Sequence, residues 1–202
     1  MKTRSMLNVL GTVLFLTSCT SGSGKKKDAP IHEVTDKELK ASSKIAQMEV
    51  IKAQFHMNAA LFSKNLMDIT EEEAHKRIEG ANSLLWIVGH SVNIYYNIAN
   101  HIGLKIDNPY KEQFGYGKFF NPDMEYPKLS KMIADWEALT PKISAKLSLL
   151  TAKELKAEPP FQIPLTEQSI SGLLAFQMHH LGYEYGQIGL YRKFLGKSSF
   201  TY

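Results

Sequence analysis

The stretch FQMHHLGYEYGQIGLYRKFLGK, Phe176 to Lys197, sets His180 and Glu184 four residues apart among apolar neighbours. In a helix that spacing puts both side chains on one face. Leu173, Phe176, Ile188 and Leu195 fall near the same face, which turns the pair toward a core. His179 lies about 100 degrees round the helix from His180, so the two cannot face one centre. An imidazole and a carboxylate removed from water need a partner, hydrogen-bonded or metallic. His90, in the apolar run WIVGH beside Trp86 and Ile94, is the natural third member. Two imidazoles and a carboxylate from facing helices suit a divalent transition metal (Zn, Ni, Fe or Mn), with positions left open for water or substrate. Gln187, one turn beyond Glu184, is placed to orient a ligand from behind, or to bond a neighbouring helix. By spacing alone, the three groups fit a metal-free hydrogen-bonded cluster as well.

The elements that must carry these residues are helices. Ile45, Met48, Ile51, Phe55, Ala59, Phe62 and Leu66 recur at three- and four-residue steps, which predicts a long amphipathic helix from about Lys37 to Met67. Thr70 with Glu73 predicts the capped start of a short segment. A second long helix begins near Asn82 or Ser83, carries His90, and stops at Gly103. A third runs from about Lys128 to Leu150, with a kink or break expected at Pro141. The last starts near Thr166 or Ser169 and ends at Leu195 before Gly196. Between the second and third lies a long connection rich in Gly, Pro and aromatics, expected to pack over one end as a lid. The proline-bearing connection before the last helix reads as loop. Four long helices and no period-two alternation predict an all-α four-helix bundle over residues 37–202.

WIVGH together with LLAFQMHHLGYEYGQIGLYRKFLGK resembles the DinB/YfiT-like superfamily of four-helix-bundle metalloenzymes. The resemblance spans roughly Lys40 to Lys197. It implies a metal held by a histidine ending a GH motif, matching His90, and by two residues of the last helix, matching His180 and Glu184. The family usually has histidine where this chain has Glu184. A carboxylate there keeps a donor and hardens the set toward Fe, Mn or Zn, or else leaves a degenerate site. The resemblance also implies a thiol-dependent transferase or a related metal-assisted enzyme, and it makes a homodimer an expectation. The alternative is a non-catalytic bundle that binds a small molecule or partner.

The chain's 202 residues suffice for one domain and an appendage, and its hydrophobic and charged fractions are those of a folded protein. A net charge of +4, partly in the run Lys25 to Lys27, gives no basic stripe interleaved with aromatics, so nucleic-acid binding is not expected. GYGKFF lacks the spacing of a phosphate-binding loop. At the start, Lys2 and Arg4 precede an apolar run from Met6 to Leu16, too short to span a bilayer but right for an export signal. Leu16-Thr17-Ser18-Cys19 then resembles a bacterial lipobox and uses the chain's one cysteine. The expectation is a signal peptide over residues 1–18, a lipid-anchored tether over 19–36, and attachment to an envelope membrane through Cys19. Thr20 after the cysteine favours the outer membrane in a cell with two. No disulfide within the chain is possible, so the core must hold the fold.

Overall fold

The computed structural model describes residues 35–198 and Phe200. The expected signal peptide, Cys19 and nearly all of the tether lie outside them. Among the described residues there are helices and no strand: α1 (Asp36–Leu66), α2 (Glu71–His75), α3 (Leu84–His101), α4 (Lys111–Phe114), α5 (Leu129–Leu149), α6 (Ala152–Lys156) and α7 (Ile170–Phe194). The four long ones, α1, α3, α5 and α7, form the bundle. No described helix is long and apolar enough to cross a membrane.

Side chains shared between helices give the topology. Asn58 donates to the Met178 carbonyl (3.1 Å) and Arg192 to the Asn65 carbonyl (2.8 Å), so α1 and α7 run parallel. His90 meets His180 and Tyr191 reaches back to the Asn82 carbonyl, so α3 and α7 are antiparallel. Phe62 packs on Trp136 and His56 approaches Ser144, which makes α1 and α5 antiparallel. Tyr95 abuts Trp136 while Gly103 lies beside Lys146, which makes α3 and α5 parallel. The order is therefore up, down, down, up.

Parallel neighbours require a long return. From the end of α3 the chain must travel back along its 18 residues, about 27 Å, before α5 can start. The connection does so against the flank of α3. Asn108 bonds Asn97 and Asn93, the Phe114 carbonyl meets His90, Arg77 covers the Phe120 ring, and the Glu71 carboxylate accepts the Leu129 N–H at the head of α5. The expected end-capping lid is instead a side wall.

Local chemistry explains the ends. Thr70 and Glu73 cap α2 reciprocally, and Thr151 and Glu154 do the same for α6. α6 is a helical turn in the connection expected to be loop; its signal, a threonine three residues before a glutamate, resembles the one that marked α2. Ser83 and Ser169 cap α3 and α7 through their hydroxyls. Gly196 ends α7 with φ +75°, open to glycine without strain. Pro141 does not break α5, which runs on to Leu149. The carbonyl it leaves without an amide partner belongs to exposed Glu137, where water is available. Phe55, Phe62, Tyr95, Ile98, Met132, Ile143, Leu173 and Ile188 are fully or almost fully buried between the long helices.

Candidate metal centre

The packing of α3 against α7 brings His90, His180 and Glu184 together. Nε2 of His90 is 3.3 Å from Nε2 of His180, which is 3.2 Å from Oε1 of Glu184. One ligand atom from each lies within 4.8 Å of the other two. Gln187 donates to the other carboxylate oxygen, Oε2, at 2.8 Å.

Each member is held from behind. His90 Nδ1 is 2.7 Å from the Phe114 carbonyl, which can only accept, so Nδ1 carries the proton. In the neutral ring, Nε2 then presents its lone pair to the cluster. Asn93, one turn on, also donates to that carbonyl at 3.3 Å, and Asn108 bonds Asn93 in turn. The indole of Trp86 stacks on the His90 ring, 5.1 Å between centroids and 7° from parallel. Gly89 makes this approach possible, because a Cβ there would stand 2.3 Å from the Phe114 ring. The glycine of WIVGH thus seats the carbonyl that orients the histidine.

Electrostatics favour a cation. Burial holds His90 below the usual histidine range, although the Phe114 carbonyl and the Glu184 charge pull the other way and His180 adds to the depression. His90 is thereby kept neutral with its lone pair available. Glu184 is 5% exposed, and a buried carboxylate without a counter-charge is costly. The His90 lone pair and Glu184 Oε1 converge on His180 Nε2, which has at most one proton to share between them. Two of the three donor spacings suit an ion as well: bonds of roughly 2.0–2.1 Å in a tetrahedral shell give edges of about 3.3–3.4 Å, against 3.3 Å from His90 to His180 and 3.2 Å from His180 to Glu184, with the third pair within 4.8 Å.

A family model matches the chain over residues 54–188, described as the DinB superfamily, and that span contains His90, His180, Glu184 and Gln187. The chain belongs to the DinB superfamily. No curated protein matches it. The all-helical fold expected of a DinB-like bundle is the fold observed.

In this DinB protein the trio lies at one end of a cleft of about 890 Å³ between α3 and α7, bounded by the 111–116 and 161–164 segments. His90 and His180 line the cleft. Sequence reasoning overlooked several residues there. Asn93 and Asn97 continue the His90 face up α3, and Gln177 precedes His180 by one turn. Their helical offsets were the available signal. His101, at the end of α3, lines the cleft against Phe161, and burial lowers its pKa. His179 faces outward, as its rotation from His180 predicts, and His56 is exposed. Tyr95, Tyr96, Tyr185 and Tyr191 are buried in the core, whereas Tyr183 is 66% exposed.

Proposed function

We propose that this protein is a metal-dependent enzyme of the DinB superfamily, in which His90, His180 and Glu184 hold one divalent ion of Zn, Fe, Mn or Ni beside a substrate cleft. The observation that carries this reading is the convergence of the three donors, with the free nitrogen of His90 fixed by the Phe114 carbonyl. A bound ion would supply Lewis acidity, lowering the pKa of a thiol or water so that a nucleophile exists near neutral pH. Thiol-dependent group transfer is the reaction class that the family resemblance supports.

The chain's own residues do the rest. Gln187 fixes the Glu184 carboxylate, Trp86 covers one face of His90, and the cleft admits a substrate from the α3–α7 groove. Glu184 keeps an anionic donor where the family usually has histidine. We further propose that the protein is anchored to an envelope membrane through lipid on Cys19, on the strength of the lipobox-like LTSC following an apolar run.

A second reading, a non-catalytic binding bundle, draws support from the hydrogen bonds that already join His180, Glu184 and Gln187. Metal content separates the two. Mass spectrometry on the full chain, purified in detergent without chelator or His tag, is expected to find about one equivalent of a transition metal. His180→Ala and Glu184→Gln should lose it and Glu184→His should keep it. No uptake after reconstitution, or equal content in every variant, would sink the enzymatic reading.

A further inference from the structure

Gln177 stands on α7 one turn before His180 and lines the cleft. It is 7% exposed, and its carboxamide oxygen is buried with no hydrogen-bond partner. A buried amide oxygen that bonds nothing destabilises the fold, and leucine or methionine would fill the same space without that penalty. Of the buried side-chain atoms without a partner among the described residues, the Gln177 oxygen is the one that belongs to a residue lining the cleft. The amide can turn about its last torsion without moving the rest of the side chain, which exchanges the places of its oxygen and its NH2 and brings the oxygen to where it can meet an N–H brought in by a ligand.

The remaining walls narrow the ligand's chemistry. Among the described residues that line the cleft there is no Asp or Glu, and Lys111 is the one Lys or Arg. His101 is held toward neutrality by burial. A neutral or anionic ligand fits, and a cationic one does not. Ile94, Phe161, Ile163 and Phe176 supply apolar surface for an acyl chain or a ring.

We propose that the cleft binds a small N-acylated amino acid or short peptide, with its amide N–H on Gln177 and its carboxylate toward Lys111. The inference deepens the enzymatic reading by naming the substrate class of that site, and it rests on that reading only for the claim that the bound molecule is a substrate. The specificity lies in Gln177. An ester analogue keeps the shape, the carbonyl and the carboxylate but lacks the N–H, so it leaves the carboxamide unpaired.

The probes are hippurate (N-benzoylglycine) and its ester counterpart benzoyloxyacetate, titrated calorimetrically into the full chain in detergent, metal-free and after zinc loading. Hippurate is expected to bind about tenfold more tightly than the ester, one hydrogen bond's worth of discrimination. Gln177→Met should bring the two ligands within about twofold while leaving the thermal midpoint unchanged or higher, because it removes an unpaired buried amide. Lys111→Ala should weaken both ligands alike. Equal affinity for the two, no binding of either, or discrimination that survives Gln177→Met would overturn the proposal. A lowered midpoint in Gln177→Met would assign the amide to the fold and overturn it too. Zinc uptake without discrimination would leave the metal reading standing alone, and discrimination without zinc uptake would do the reverse.

Discussion

Replacing Gly89 by alanine tests the link between packing and the metal centre, because it alters no donor. A Cβ at position 89 would lie 2.3 Å from Cε1 and Cζ of Phe114, where ordinary contact begins at 3.4 Å, a deficit of 1.1 Å. Phe114 is fully buried among the rings of Trp86, Tyr110 and Tyr126, so it has little room to retreat. Overpacking of this kind costs about 1–3 kcal/mol, offset by about 0.5–1 kcal/mol gained when alanine replaces glycine in a helix. The net is about 0–2.5 kcal/mol, or a thermal midpoint lower by up to about 10 °C in a chain of this size. Moving Phe114 also displaces the carbonyl that fixes His90 Nδ1 at 2.7 Å, and the loss of such a partner typically lowers metal affinity about 10–100-fold. Scanning calorimetry and a competitive zinc titration read the two effects separately. An unchanged midpoint together with unchanged zinc affinity would refute the argument, and a fall in stability alone would detach the Phe114 carbonyl from the site.

Arg192 is 1% exposed and donates to the Asn65 and Ser198 carbonyls and to Asp68, so Arg192→Ala should cost about 2–4 kcal/mol by urea unfolding. Asp68→Asn, at a residue half open to solvent, should cost much less. His101 should make stability depend on pH. Its folded pKa lies below the usual value of about 6.5, so the unfolded chain takes up the proton first as pH falls. That contribution is complete above pH 6.5 or so and is lost as pH drops toward the folded value. His101→Gln should flatten the fall in thermal midpoint between pH 7.5 and 5.5, and an unchanged slope would count against burial as the cause. Cys19→Ala should move the protein from the membrane fraction to the soluble one and abolish labelling by a clickable fatty acid; persistence in membranes would rule out lipid as the anchor.

The helices were legible because their determinants are local. Apolar residues at three- and four-residue steps, Ser83 and Ser169 as caps, and Gly196 as a stop act within one or two turns, and the structure puts the long helices within a few residues of where these signals do. α6 shows the limit of weighing such signals, since its capping box was present but prolines a few residues on, from Pro159, masked it. Pro141 shows another: a missing N–H breaks a helix only where the orphaned carbonyl cannot find water, and exposure is not written in the local pattern. The chain itself also determined that His180 and Glu184 share a face, because helical geometry alone decides that. Only the tertiary structure decided that His90 joins them, that Gly89 admits Phe114 to orient it, and that the Gly-rich connection is a side wall. These depend on which helices are neighbours and on their direction. The parallel pairing of α3 with α5 forces the return along α3, and the antiparallel packing of α3 on α7 brings residues 90 and 180 to the same level. Such long-range choices are fixed by the burial of the whole core, to which every helix contributes and which no single segment encodes.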